Sequence, residues 1–445
     1  LCDRLPGFWK HKCNQSKTIV QSGVLYPQSN WHRMANSRAL FWIASSDQNI
    51  AQARAVLRSL KPAGVLDELG FLVLLGAFSD RLYPAISTIM TRARYFLFIP
   101  AIYRHIESLP AGRRRNAANL ARRLQVTLCQ SLLDTDPEQP GIIGKRTNGQ
   151  VQRLPSSVYW FGLTSLGIAL HRQPESSYLS DLSRRPARSR YADDDGITHE
   201  DEEDSFWDPA APLDGILAAD GTYPQRLSLK LTRREAAYLR DRFLAREAPE
   251  NPSLLGHLLR TGDTGMVYQA PWAIPALPPT LRNVVHHARL LSLLTRGAQL
   301  QYDALLFEAR RVTDTGTEPA FVTWWDEVMP ILERWDLDDF ARLPFLQHAT
   351  MRGDVRFLRN WRTRVVGMRS GAIAYSDRGA RGLLREREQA VRGGKARLVS
   401  TFHLEQWQPP KQYDHRALHA LTYRHGIGTT MLTDIHEGLA RGGRA

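Results

Sequence analysis

Asp80, Ser87, Thr88, Thr91, Arg92 and Arg94 crowd a short block in which hydroxyls and guanidinium groups could hold a phosphate. Such donors suit phosphate oxygens, and a carboxylate can hold one guanidinium in place. Tyr95, Phe96 and Phe98 follow directly and must be buried, so these polar groups sit beside a core. Arg92 and Arg94 point to different sides of a helix, so one can pair with Asp80 while the other faces a ligand. The plain reading is an Asp–Arg staple between two helices. The sharper one is a phosphate or nucleotide pocket, and with it an enzyme acting on a phosphate-containing substrate across Ser79–Tyr95.

A second group lies in residues 352–397, where thirteen basic residues stand against four acidic ones, a net of +9 in a chain of formal charge +14. On a helix, Arg352, Arg356 and Arg359 line one face, while Phe357, Leu358, Trp361 and Val365 lie opposite. Arg362 continues that helix. A second helix over about 376–392 carries Arg378, Arg381 and Arg385 and ends at Gly393-Gly394. A helix docked by its apolar face would present these guanidinium groups to the phosphates of a nucleic acid, DNA above all. A solvated basic face is the bland alternative.

Other chemistry is excluded more sharply. The chain holds only eight Lys, and none is preceded two residues earlier by Asp, Glu or His. The carboxylate–lysine pairing of restriction nucleases and the His-x-Lys of a phospholipase-D-type phosphodiesterase are therefore missing. Gly144-Lys145 and Gly394-Lys395 are followed by Arg146 and Ala396, so neither is a phosphate loop, and no GxGxxG or GxSxG occurs. His415 and His419, with Asp414 and His425 nearby, have helical metal-ligand spacing, but position 416 is Arg416 and a fourth ligand is not evident. His286 and His287 are adjacent and point about a right angle apart. No catalytic residue, metal or cofactor is assigned. Cys2, Cys13 and Cys129 cannot build a disulfide framework, and no uncharged run reaches the ~18 residues of a membrane span. A soluble cytoplasmic protein with no membrane partner is expected.

The elements that must position these groups are mainly helical. Residues 1–33 show no period and read as a translated leader or flexible arm, with Met34 as the start. A helical domain over 34–185 includes a capping signature at Ser45–Gln48, an apolar segment from Leu66 to Phe78 closing at Ser79-Asp80, and a helix over about 113–133 with Leu120, Leu124, Leu128 and Leu132 on one face. Residues 186–206 form a charged linker rich in Asp and Glu. The second helical domain, 207–445, opens at a Thr232–Glu235 capping box and holds a long helix over about 280–311 and a Trp-rich helix over 321–336. The long helix suits the centre of a bundle or a dimer seam. Strand-like stretches are few: Leu40–Ile43, Leu227–Leu231 and Arg397–Phe402. The expected fold is mainly α, with few short strands, in two domains around a long central helix.

The block Ala77-Phe78-Ser79-Asp80-Arg81-Leu82-Tyr83-Pro84, with Ser87-Thr88-Ile89 and Thr91 to Pro100, resembles the opening motif of an uncharacterised bacterial domain-of-unknown-function family, six-three-six-one. Pro155 to Trp160, Gly162-Leu163, Leu166-Gly167-Ile168, Leu229 to Arg242, Pro271-Trp272 and His287 to Leu290 extend the resemblance over about residues 38–440. It implies no activity; it does imply a setting among bacterial defence and mobile-element genes. The expected function is a nucleic-acid-associated accessory factor of a phage-defence or mobile-element system, with proteins of a neighbouring operon as further partners. A pure interaction scaffold, held to a partner by the Trp-rich helix, is the third class.

Overall fold

Helix starts follow local side-chain chemistry. The Thr232 hydroxyl accepts from the Glu235 amide at 3.3 Å, and the Glu235 carboxylate accepts from the Thr232 amide at 2.7 Å, which closes the expected capping box. Ser253, Asp336, Ser370, Asp377 and Ser400 each cap a further helix with one side chain. The computed structural model describes residues 67–147, 151, 153–184, 205–247, 251–314, 316–347, 349–408 and 421–441. The expected arm at 1–33, Met34, the Ser45–Gln48 cap and Leu40–Ile43 lie outside the described residues. So do Asp414, His415, His419 and most of the expected linker.

The described chain is mainly helical. In order run α1 (Leu72–Leu82), α2 (Tyr95–Ser108), α3 (Ala111–Arg114), α4 (Ala117–Thr135), α5 (Pro155–Ser165), α6 (Glu175–Arg184), α7 (Arg233–Leu244) and α8 (Leu254–Thr261). Then follow α9 (Pro279–Arg310), α10 (Thr317–Leu332), α11 (Leu337–Arg342), α12 (Ala349–Val366), α13 (Gly371–Ser376), α14 (Arg378–Arg392), α15 (Thr401–Glu405) and α16 (His425–Ala440). Helix α1 runs through Ser79-Asp80, where the sequence predicts an end, because the Ser79 hydroxyl turns back onto the Leu75 carbonyl at 2.7 Å and leaves the helix intact. The helix expected over 113–133 is interrupted at Arg115-Asn116, and Leu124, Leu128 and Leu132 of α4 face inward as their spacing requires.

Helix α9, 32 residues long, is buried on several sides, with Leu281, Val284, Leu290, Leu294, Leu300 and Phe307 all enclosed. The chain itself covers the residues that a dimer seam would use. Gly297 lets α10 approach closely: a Cβ there would stand 2.2 Å from the Trp324 ring. Trp324 is buried and donates to the Leu293 carbonyl at 2.8 Å; Trp325 is half-buried and donates to the Val365 carbonyl at 3.3 Å. The indoles of the Trp-rich helix thus pack inward, and its exposed face carries Thr323, Asp326, Glu327 and Pro330. A buried relay ties α12 to α9 and α13. Trp361 donates to Gln301 Oε1 at 3.0 Å, and Gln301 donates to the Ala374 and Tyr375 carbonyls at 2.8 and 3.0 Å.

Two expectations are corrected. The only β-pairing among the described residues is an isolated antiparallel bridge between Ala169 and Trp207. Leu227, Leu229 and Leu231 alternate inward as a strand would, but side chains satisfy their backbone. Thr135 Oγ1 and Gln139 Oε1 accept from the Leu227 and Leu229 amides, while Arg94 and Arg441 donate to the Ser228 and Leu231 carbonyls. Arg397–Phe402 turns into α15 instead of forming a strand. The described residues of the two expected domains, 34–185 and 207–445, share one core cluster. Trp207 stacks on Tyr103 and Phe206 lies against Tyr178, so apolar surface from beyond the charged segment is buried in the first half.

That aromatic cluster lies against an acid, Glu175, that has no ion pair among the described residues. Tyr103 donates to Glu175, and burial raises the Glu175 carboxyl above the ordinary carboxylate range, against the hydrogen bond from Tyr103. A raised folded-state value means that the protonated form is favoured in the fold. Its contribution is full below the unfolded-state value and is lost as the pH rises through the raised one. Glu175→Gln, permanently neutral, should therefore gain in melting temperature relative to the parent by a few degrees as the pH goes from about 4 to 7. A difference that stays constant across that range would show that the Glu175 charge has no such role.

Candidate nucleic-acid interface

The Asp80–Arg94 block is built into the core. Arg92 Nε donates to both carboxylate oxygens of Asp434 at 2.9 and 3.0 Å, and its Nη2 donates to Oδ1 at 2.6 Å. The Ala93 amide takes Asp434 Oδ2 at 2.8 Å. Arg94 reaches Glu235 Oε1 at 2.9 Å and lies 5.3 Å from the Phe98 ring centre. Asp80 pairs with neither arginine of the block: Arg424 takes it at 2.5 Å and also donates to the Ile86 carbonyl at 2.6 Å. Burial pushes the Tyr159 phenol up to about 12, so it keeps its proton, donates to the Arg92 carbonyl at 2.8 Å and accepts from the Thr91 and Arg92 amides. Thr88 is exposed, while Ser87 and Thr91 are half-buried. Both guanidinium groups of Arg92 and Arg94 are spent on carboxylates from α16 and α7, which leaves no cation of that pair to meet a phosphate.

The described histidines with close partners are equally committed. His287 Nε2 faces Asp339 Oδ2 at 2.8 Å while Trp335 Nε1 donates to Nδ1 at 2.9 Å, so both ring nitrogens are used. His425 Nε2 donates to the Tyr268 carbonyl at 2.8 Å, Tyr83 lies 2.5 Å from Nδ1, and burial lowers its pKa. No cluster of three His, Cys, Asp or Glu among the described residues could hold a metal ion.

The basic window divides into arginines that hold the fold and arginines that do not. Arg387 is buried on Asp354, Arg392 and Arg397 flank the buried Glu68, and Arg364 pairs with Asp377. Arg381 pairs with Glu308 and lies over the Tyr375 ring. Arg362 donates to the Leu332, Glu333 and Trp335 carbonyls and so closes the C-terminal end of α10. By contrast Arg352, Arg356, Arg378 and Arg385 are exposed and make no ion pair among the described residues. Arg359 meets Asp338 at 2.6 Å with side chains 46% and 71% exposed, a contact of small net strength in water.

Arg352, Arg356 and Arg359 stand on α12 opposite the buried Phe357, Leu358, Trp361 and Val365. At about 1.5 Å rise per residue, their Cα atoms follow one another at about 6 and 4.5 Å along the axis. The row also forms one wall of an open pocket of about 230 Å³, completed by Val355 from the same helix and by Ala341, Leu346 and Gln347 from α11 and the turn after it. Val355 is legible one turn from Arg352; Ala341, Leu346 and Gln347 carry no signal of their own, because a chain reversal at Pro344 brings them to the row. The surface can hold an anion on guanidinium groups and an apolar fragment against Ala341 and Val355.

Fold and surface together define a mainly helical protein with an open arginine row beside a small apolar-walled pocket. The chain belongs to the family of unknown function DUF6361, whose model matches residues 37–438. No curated protein and no solved structure matches it. No helix among the described residues is long and apolar enough to cross a membrane.

Proposed function

We propose that the protein is a nucleic-acid-associated accessory factor that holds a phosphate backbone along Arg352, Arg356 and Arg359, with Arg378 and Arg385 as further exposed cations. The observation that carries this reading is the division within one basic window. The inward arginines are neutralised by buried carboxylates or carbonyls, whereas the outward ones have no comparable partner. Surface guanidinium groups without partners release counterions when they meet phosphates, which gives affinity without sequence preference. The defence and mobile-element setting implied by the family resemblance suits such a partner.

Arg352→Gln, Arg356→Gln and Arg359→Gln together should weaken binding to all sequences alike and lower the salt slope by about one unit for each phosphate no longer neutralised. The melting temperature should stay within a degree or so, because none of the three is buried. Gel-shift titrations of duplex DNA, single-stranded DNA and RNA at several salt concentrations measure both. Parent protein without salt-dependent binding to any of the three probes, or a triple variant that binds like the parent, would overturn the reading.

A further inference from the structure

The pocket beside the row says more about the form of the nucleic acid, and this step rests on the proposed phosphate-binding role of the row. A duplex presents phosphate ridges and groove edges, while its base faces stay covered by stacking. An exposed arginine face would suffice for that ligand, and an apolar recess next to it would have nothing to receive. Here Leu346, Val355 and Ala341 line a recess of about 230 Å³ directly against Arg352, Arg356 and Arg359. That is room for one planar ring system and too narrow for a base pair with its backbones. Gln347 uses its amide N–H groups on the Ala341 and Leu343 carbonyls, which holds the side chain at the pocket wall. Arg352 and Arg356 have no ion pair among the described residues, so their planar groups can lie on a base face as well as meet phosphates.

We infer that this site takes single-stranded nucleic acid, with one unstacked nucleoside seated in the pocket against Ala341 and Val355 and its flanking phosphates on Arg352, Arg356 and Arg359. Sequence tolerance follows, because apolar contact and stacking on guanidinium planes accept any base. Among the described residues the lining contains no aromatic ring, and the arginines supply stacking planes.

Fluorescence anisotropy separates the possibilities. The probes are a labelled mixed-sequence DNA single strand, its duplex, the RNA of the same sequence, and the single strand with abasic sites, all at one salt concentration. The single strand should bind about tenfold tighter than the duplex, and the abasic strand, which keeps its phosphates, should lose about tenfold. Val355→Leu combined with Ala341→Leu fills the recess and should abolish the advantage of the single strand over the duplex. RNA binding as tightly as DNA would place recognition in base and phosphate alone; RNA binding more weakly would mean that the pocket also senses the sugar, and either outcome keeps a nucleoside there. Equal affinity for duplex and single strand, or an abasic strand bound as tightly as the intact one, overturns the inference and leaves the phosphate row standing. Absence of binding to every probe fails the underlying reading instead. Should the filled variant not fold, the abasic comparison on the parent protein decides alone.

Discussion

Asp434→Ala should destabilise the protein by about 3–5 kcal/mol, the cost of leaving a buried charge without its partner. In the native fold Asp434 accepts from Arg92 Nε, Arg92 Nη2 and the Ala93 amide, with side chains 15% and 3% exposed for the arginine and the acid. Truncation leaves the guanidinium with the Pro140 carbonyl at 3.2 Å as its remaining partner here and orphans a buried amide. Asp434→Asn keeps an acceptor for Ala93 and loses only the charge, so it should fall between parent and Ala. Urea denaturation gives the difference, and hydrogen exchange should show α16 opening ahead of the rest. A loss below about 1 kcal/mol would mean that Arg92 is held by other groups and that the Asp80–Arg94 block is free to serve a ligand after all.

Arg387→Met should cost a similar amount, about 3–5 kcal/mol, although it lies in the same window as arginines whose loss costs almost nothing. Arg387 donates to Asp354 at 2.5 Å and to the Leu69 carbonyl at 2.7 Å, and it lies 5.3 Å from the Phe357 ring centre. Both side chains of the pair are almost fully buried, 6% and 5% exposed. Removing the cation takes the guanidinium from the buried Asp354 and frees the stretch that leads into α1. Replacing both, Arg387→Met with Asp354→Leu, should recover most of the loss, because desolvation of the pair offsets much of its attraction. The four proteins form a double-mutant cycle by chemical denaturation. Arg385→Gln, on the exposed face of the same helix, is the control and should stay within about 0.5 kcal/mol. If Arg387→Met is as mild as the control, the division of the basic window into structural and free arginines is wrong.

That division bears on how a surface is read from charge. The window's net of +9 suggests a strongly basic patch. Much of that charge is already met by acids: Arg387, Arg392 and Arg397 face the buried Asp354 and Glu68, and the exposed Arg364 and half-buried Arg381 pair with Asp377 and Glu308. The field available to a nucleic acid comes from far fewer groups, which is why the triple Gln variant on α12 is a demanding test.

What could be read without coordinates is what depends on residues within about a turn of one another. The Thr232–Glu235 box, the inward Leu124, Leu128 and Leu132, and the outward row Arg352, Arg356 and Arg359 against Phe357, Leu358, Trp361 and Val365 follow from helical period and from side chains that reach only their neighbours. Burial of Tyr95, Phe96 and Phe98 follows from their types alone. The partners of the arginines do not follow. Arg92 finds Asp434, Arg94 finds Glu235 and Asp80 finds Arg424, across 342, 141 and 344 positions of chain. With 45 carboxylates to choose from, sequence leaves each pairing open, and the nearer Asp80 is the natural but mistaken choice. Leu227–Leu231 shows the same limit for the backbone. Its alternation is genuine, yet whether its amides and carbonyls meet a neighbouring strand or the side chains of Arg94, Thr135, Gln139 and Arg441 depends on what the fold brings alongside. Local spacing decides which way a side chain faces, but the group that it faces is set by chain reversals whose geometry comes from packing the whole core, and only the tertiary structure holds that information.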